Sequence, residues 1–123
     1  MTKHLRPGLT FAFMIALAVA SAQSPALDPV NVAPHIHEVV LDNDQVRVIK
    51  VTERTGETPP LHAHPNRVVV YLSPCAWLED EPDGQKSMQS FRLGDVQWAA
   101  ATTHGGITSK VVQECSLLEI ELK

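Results

Sequence analysis

The sequence predicts an all-β fold, a small sandwich or barrel assembled from short strands. Eight or more short apolar or alternating segments recur at intervals of about 8–12 residues, and turn-forming residues separate them. After the first two dozen residues, no segment has the apolar spacing of an amphipathic helix of useful length. The 123 residues provide one domain, with no room for a second.

Residues 1–22 have the organisation of a cleavable signal peptide. Two basic residues precede an apolar run over 9–20, and the small residues Ala20 and Ala22 stand where a signal peptidase cleaves. The apolar run is about twelve residues long, whereas a helix that spans a bilayer needs roughly twenty. We therefore expect cleavage after Ala22, no stable membrane span in the mature chain, and a periplasmic or secreted protein. An uncleaved membrane anchor is the alternative.

The charge of the mature chain argues against nucleic acid as a partner. The signal peptide carries the two basic residues Lys3 and Arg6 and no acid, so its loss changes the formal net charge from −4 to −6. An acidic protein repels a phosphate backbone, and aromatic residues, at 5% of the chain, are too few for a base-stacking platform. We therefore expect no nucleic-acid partner.

Residues 23–37 are predicted to form an extended N-terminal arm, ahead of a β-barrel domain at 38–123. Three prolines occur between residues 25 and 34, with little apolar periodicity around them. The arm ends in His35 and His37, a His-x-His pair at the edge of the first predicted strand. We expect this pair at the surface or in packing, with an accessory metal ligand as the alternative.

The predicted strands follow one another in a regular order. They cover 39–41, 46–52, 67–72, 75–78, 88–93, 96–98, 111–112 and 117–122. A turn at 42–44 joins the first two, and Asp83-Gly84 is a strong hairpin signal between the fourth and the fifth. The segment 67–72 is apolar on both faces, which is typical of a central strand. Acidic residues over 79–83 indicate a solvated loop, because the ordered spacing of a calcium-binding EF-hand is missing.

The two cysteines, Cys75 and Cys115, both lie in the predicted mature chain. In an oxidising compartment an even pair is compatible with a disulfide, which would close a loop of about 40 residues and contribute about 4 kcal/mol to the free energy of unfolding. Two buried thiols that act as small apolar residues are the alternative.

Three histidines carry the functional prediction. His62 and His64 are separated by one residue, so they share a face if the backbone is extended, and His104 stands about forty residues later, just before two glycines. Neutral imidazoles suit Zn, Cu, Fe or Ni, and a three-histidine set with open positions fits a catalytic site better than a closed structural one. Neither an order of serine, histidine and aspartate nor a nucleophilic cysteine signature supports covalent catalysis.

The spacing around these histidines resembles that of the cupin superfamily. Gly56, five residues, His62, one residue and His64 match the opening of the first cupin motif, and Gly94 followed after a short gap by His104 resembles the second. The resemblance covers roughly 39–123. It implies a small single-domain cupin-type β-barrel, or jelly-roll, whose strands turn the three histidines into one cavity around a divalent metal ion (Fe, Mn, Zn, Cu or Ni).

The chain departs from the cupin pattern at one ligand position. Cupins place a glutamate after the second histidine, where this chain has Val68 or Val69. In the second motif an Ala/Thr run replaces the usual proline and glycine, and Thr108 occupies the asparagine position. Without the glutamate the ion would keep its full +2 charge, be held less tightly and favour an anionic ligand. Strand parity with the histidines predicts that Val68 faces the cavity.

Further residues are candidates for the cavity wall. They are Arg47, Arg67, Tyr71, Gln97 and Trp98. Strand parity turns Tyr71 away from the cavity unless a bulge intervenes, and Trp98 is expected in core packing rather than in the wall. Arg67 is expected at the surface, with recognition of a substrate carboxylate as the alternative.

The first functional hypothesis is a periplasmic or secreted cupin-like domain. It would bind a divalent metal through His62, His64 and His104 and, if it is an enzyme, act on a small anionic substrate. The second hypothesis is a metal-free module, either structural or binding a small ligand in the same cavity, with no catalytic activity. The exposed edge strands of such a small barrel also suggest a homodimer in which the N-terminal arm crosses between subunits.

Overall fold

The computed structural model describes residues 24–123, so the predicted signal peptide at 1–22 lies outside the described residues. These residues form ten strands, one α-helical turn and two 3-10 turns. The strands are β1 (His37–Asp42), β2 (Val46–Glu53), β3 (His62–His64), β4 (Arg67–Tyr71), β5 (Cys75–Asp80), β6 (Lys86–Phe91), β7 (Val96–Ala99), β8 (Thr102–His104), β9 (Ser109–Gln113) and β10 (Cys115–Leu122). The predicted all-β fold is confirmed.

Three antiparallel sheets build the barrel. The largest has the strand order β1-β2-β10-β4-β7, a second has the order β6-β5-β9, and β3 pairs with β8 alone. The last strand, β10, lies at the centre of the large sheet, where it pairs with β2 along its whole length and with β4 on its other side. As the apolar pattern predicts, β4 is an internal strand, between β10 and β7.

Two hairpins follow from their turn residues. Between β1 and β2, the Asn43 side-chain oxygen accepts hydrogen bonds from the backbone N–H groups of Gln45 and Val46, at 2.9 and 3.0 Å. Between β5 and β6, Gly84 has a φ of +81°, a conformation that glycine adopts without the steric cost of a side chain. The hairpins predicted from the turn residues are both present.

The N-terminal arm is not extended, and that prediction is wrong. Its prolines instead start two short helical turns, Pro25–Leu27 and α1 (Pro29–Val32), because proline is favoured in the first turn of a helix. Asp28 caps α1 by accepting a hydrogen bond from the Val30 N–H at 2.9 Å. Ala33 and Ile36 are buried in the core, so the arm packs against its own barrel.

The hydrophobic core lies between the large sheet and the β6-β5-β9 sheet. It includes Ile49, Val51, Val69, Tyr71 and Leu117, together with the two cysteines. Cys75 and Cys115 form a disulfide with their Cα atoms 4.7 Å apart, which decides between the two predicted alternatives in favour of the disulfide. The bridge joins the start of β5 to the start of β10, and therefore one sheet to the other.

No helix within residues 24–123 is long and apolar enough to cross a membrane.

Candidate metal centre

The pairing of β3 with β8 brings the three predicted histidines together. His62 lies directly opposite His104 in the antiparallel register, and their ring centroids are 4.5 Å apart. His64, two residues along β3 on the same face, has its ring centroid 4.8 Å from that of His62 and 5.3 Å from that of His104. Two extended strands thus place three imidazoles side by side.

A fourth histidine, His37, joins this cluster from the first residue of β1. It is 3% exposed, and its ring centroid lies 5.0 Å from that of His62 and 6.3 Å from that of His64. One nitrogen from each of His37, His62 and His64 lies within 4.8 Å of the others. For His37, the structure therefore favours the alternative of an accessory metal ligand over the expected surface or packing role.

Each of these three rings is anchored through its Nδ1 atom. His37 Nδ1 lies 3.1 Å from the Ala33 carbonyl oxygen, His62 Nδ1 lies 2.6 Å from the Pro60 carbonyl oxygen, and His64 Nδ1 lies 2.8 Å from Glu121 Oε1. Carbonyl and carboxylate oxygens accept hydrogen bonds, so each Nδ1 carries the hydrogen and each Nε2 has a free lone pair. Metal-binding histidines have the same arrangement, with the non-ligating nitrogen fixed by an oxygen acceptor.

Polar atoms without partners surround the same point. Among residues 24–123, the buried side-chain atoms that lack a hydrogen-bond partner are His64 Nε2, His104 Nε2, Arg67 Nη1 and Glu119 Oε2. An unpaired buried polar atom typically costs about 1–3 kcal/mol, so a folded protein tolerates few of them. The two unpaired Nε2 atoms, one on the anchored His64 and one on His104, fit a site that a metal ion would complete.

The protonation states of the histidines also suit a metal. Burial lowers the pKa of His37 to about 4 and that of His104 to about 3. It also lowers the pKa of His62 and of His64. All four rings are therefore neutral near pH 7. A neutral imidazole can donate its lone pair to an ion without first losing a proton.

Two charged side chains connect His64 to the N-terminal cap of α1 through hydrogen bonds. Glu121 Oε2 accepts a hydrogen bond from Arg47 Nε at 2.7 Å, while its other oxygen accepts from His64. Arg47 Nη1 in turn donates to Asp28 Oδ2 at 2.7 Å. The cap residue of α1 is thus connected through two charged side chains to a candidate ligand, and Arg47 supports the ligand rather than lining the cavity.

A second carboxylate near His64 also comes from β10. Glu119 Oε1 accepts a hydrogen bond from Arg67 Nε at 2.8 Å, and Glu119 Oε2 lies 3.3 Å from His64 Nδ1. Both Glu119 and Glu121 are buried, so the acidic residues of the alternating β10 face inward. Burial raises the pKa of both carboxyls, against the opposing effect of the two arginines.

The alternation of β4 is the reverse of the one expected. Arg67, Val69 and Tyr71 face the cavity, whereas Val68 does not line it. Residues 65–66 break the strand between β3 and β4, and this interruption shifts the inward positions by one residue. The predictions that Val68 faces the cavity and that Tyr71 faces away are therefore wrong.

Two other expectations about the cavity wall are also wrong. The Arg67 side chain is 6% exposed and lines the cavity, so it does not lie at the surface. Trp98 is 59% exposed and belongs to neither the core nor the wall. Gln97 does line the cavity, where its Nε2 donates to the Tyr71 hydroxyl at 2.8 Å.

The cavity has a volume of about 270 Å³ and lies between the two larger sheets. His37, His62, His104, Arg67 and Glu119 form one group of its lining residues. A second group combines two carboxyls with aromatic rings and a hydroxyl: Glu53, Glu79, Tyr71, Trp77, Phe91 and Ser109. The cavity is therefore a chamber beside the histidines, with space for a small molecule.

Gly105 allows the two histidine strands to approach each other. Its φ is +86°, and a Cβ atom added there would lie 2.6 Å from the Pro60 carbonyl oxygen and 2.9 Å from that of Pro59. Pro60 is also the residue whose carbonyl anchors His62. The glycine that follows His104 is thus required for the close packing that positions both rings.

No family model matches the sequence, and no curated protein matches it. The fold resembles a cupin domain from Bordetella pertussis Tohama I, with a TM-score of 0.59 and 23% sequence identity over 72% of this chain and 92% of that one.

Two further solved structures are similar at lower identity. A cupin superfamily protein from Desulfitobacterium hafniense DCB-2 has a TM-score of 0.51 and 14% identity, over 71% of this chain and 75% of that one. A polyketide cyclase from Streptomyces resistomycificus has a TM-score of 0.51 and 15% identity, over 70% of this chain and 63% of that one. At these identities the similarity shows a shared fold.

Replacing Gly105 by alanine should destabilise the protein more than the same change at Gly94. Both glycines have a φ of +86°, but a Cβ at Gly94 meets nothing within 4 Å. We expect Gly94→Ala to cost about 1 kcal/mol for backbone strain and Gly105→Ala about 2 kcal/mol more, because backbone oxygens must move. Urea denaturation of both variants measures the difference, and equal losses would contradict the packing described.

Glu53 should make stability depend on pH in a defined direction. Burial raises the pKa of Glu53 from the ordinary value of 4.5 to about 7, so the folded protein keeps a proton that the unfolded chain releases between these values. The stability that this proton contributes is present below about pH 4.5 and is lost as the pH rises through 7.

The Glu53→Gln variant has no ionisable carboxyl at this position. Its free energy of unfolding relative to wild type should therefore rise by up to about 3 kcal/mol between pH 4.5 and pH 8. Glu114→Gln, at an exposed position, provides the control and should show no such rise. A pH-independent difference for Glu53→Gln would show that the carboxyl is not held protonated.

Proposed function

Since the chain has the cupin fold, we propose that it binds a divalent metal ion through its buried histidines. His62, His64 and His104 are the proposed ligands from the two motifs, and His37 is the fourth. His37 supplies the ligand that the valines at 68 and 69 cannot. The proposal is carried by one observation: three rings are anchored through Nδ1, so that their Nε2 atoms are free beside one another.

The anchoring contacts make the site rigid before any ion arrives. His37 and His62 donate to backbone carbonyls, which side-chain motion cannot remove, and His64 donates to a buried carboxylate. An ion that binds preoriented ligands loses little free energy to ordering them. The unpaired Nε2 atoms of His64 and His104 support the same proposal, since coordination would satisfy both.

The imidazole nitrogens limit which metal ion can bind and which small molecule the cavity can accept. Imidazole nitrogen suits Zn, Cu, Fe or Ni better than Mn. When bound, such an ion supplies Lewis acidity, and Fe or Cu also supplies redox chemistry. Four neutral ligands leave the charge of the ion uncompensated within the histidine cluster, so we propose that the cavity accepts a small molecule with an anionic group.

A metal-free binding module is the second candidate. The aromatic part of the cavity favours it, because Tyr71 and Phe91 stack with ring centroids 4.3 Å apart and Trp77 contacts both rings. Such a surface can hold an apolar part of a ligand without a metal. Metal analysis separates the two candidates.

We further propose a periplasmic or secreted location. The signal-peptide pattern of residues 1–22 is the main argument, and the disulfide supports it because disulfides persist in oxidising compartments. A homodimer remains a proposal based on the exposed apolar residues of the edge strand β1, Val39, Val40 and Leu41. The arm packs on its own core, so the proposed dimer does not need an exchange of arms.

The metal proposal is tested by the metal content of untagged mature protein and of two neighbouring histidine variants. His37→Ala should weaken metal binding at least about tenfold, because it removes a proposed ligand. His35→Ala is the matched control, since the His35 side chain is exposed and hydrogen-bonds to Glu57. Wild type and His35→Ala should each bind one ion per chain.

Two results would contradict the proposal at different levels. Equal metal binding by His37→Ala and His35→Ala would remove His37 from the ligand set. No bound ion in wild type after addition of Zn, Fe, Cu or Ni would overturn the metal function itself, and the metal-free module would then be preferred.

A further inference from the structure

We propose that the small molecule accepted by the cavity is a zwitterion. Its anionic group would lie at the histidines beside Arg67, and its cationic group would lie between Glu53 and Glu79. The anionic end of this inference rests on the proposed metal function. The cationic end rests on residues that the metal proposal does not use.

Arg67 identifies the place of the anionic group. Its side chain is 94% buried and lines the cavity, with Nε engaged by Glu119 and Nη1 without a partner. A buried guanidinium donor without an acceptor is costly, and a carboxylate is the acceptor that suits its geometry. Among the described residues that line the cavity, Arg67 is the only lysine or arginine.

Glu53 and Glu79 identify the place of the cationic group. Glu53 accepts a hydrogen bond from Trp77 Nε1 at 2.6 Å, and Glu79 accepts one from Ser109 Oγ at 2.9 Å. Both donors are uncharged, so neither carboxyl is neutralised by its hydrogen-bond partner. The raised pKa of Glu53 is consistent with a carboxyl that lacks a cation.

The aromatic rings beside these carboxyls also favour a cation. Trp77 carries the N–H group that binds Glu53, and its ring centroid lies 6.0 Å from that of Phe91 and 6.2 Å from that of Tyr71. The face of an aromatic ring attracts an ammonium group within about 6 Å of its centroid. Carboxyls and rings together provide both charge and surface for one small cation.

Neither charge alone fits the whole cavity. A purely anionic ligand would leave Glu53 and Glu79 without a cationic partner. A purely cationic ligand would meet Arg67 and the proposed metal. A zwitterion pairs with both groups, and a volume of about 270 Å³ limits it to a small molecule.

The test uses matched pairs of ligands on the metal-loaded protein. The mature protein is first loaded with Co²⁺, and its metal content is measured. Calorimetry then compares 4-aminobutyrate, 5-aminopentanoate and 6-aminohexanoate with butyrate, pentanoate and hexanoate. At least one amino acid should bind about tenfold more tightly than the carboxylate of equal chain length, because only the amino acid can pair with Glu53 and Glu79.

A double variant assigns the preference to its residues. Glu53→Gln/Glu79→Gln should reduce the affinity ratio of amino acid to carboxylate to about one, without weakening the binding of the simple carboxylate. Glu114→Gln, at an exposed position, should keep the wild-type ratio. If every simple carboxylate binds as tightly as its amino acid, or the double variant keeps the preference, the inference is overturned.

The same experiment separates this inference from the metal proposal. A protein that holds Co²⁺ and binds carboxylates without preferring amino acids contradicts the zwitterion and leaves the metal function standing. A protein that holds no Co²⁺, and no Zn, Fe, Cu or Ni when these are added in its place, overturns the metal function, and the inference with it.

Discussion

Three buried imidazoles in this barrel each give their Nδ1 hydrogen to a fixed acceptor, and the candidate site depends on that constraint. Two of the acceptors are backbone carbonyls, Ala33 and Pro60, and the third is the carboxylate of Glu121. Because a neutral imidazole has only one N–H group, fixing it at Nδ1 leaves a lone pair at Nε2. The fold thereby orients several buried imidazole rings as proposed ligands for one metal ion.

The surrounding structure serves to hold those acceptors in place. The N-terminal arm supplies Ala33, and its cap residue Asp28 binds Arg47, which in turn binds Glu121. Gly105 lets the chain after His104 pack against the Pro60 carbonyl. The arm, the last strand and a tight glycine contact are remote in sequence but act on the same cluster. A change in any of them should therefore alter the orientation of the histidine rings through the hydrogen bonds at Nδ1.

The sequence was sufficient for the fold class, because strand alternation and turn residues are local properties, and the resemblance to the two cupin motifs was sufficient to bring His62, His64 and His104 together. The sequence was insufficient for His37, because a His-x-His pattern does not show which strand will pair with it. In the fold, His37 pairs with the buried Val51 of β2. The parity of Val68 was predicted incorrectly because the break at 65–66 shifts the alternation. The inward direction of Glu119 depends on pairing with strands that lie far away in sequence.

The most direct test of this account is the tautomer of the buried histidines in the metal-free protein, measured by long-range ¹H–¹⁵N NMR correlations of the imidazole rings near pH 7. The account predicts that His37, His62 and His64 are all neutral, with a protonated Nδ1 and a bare Nε2. A hydrogen on Nε2 in these rings would occupy the position proposed for the metal ion, and this result would contradict the preoriented site.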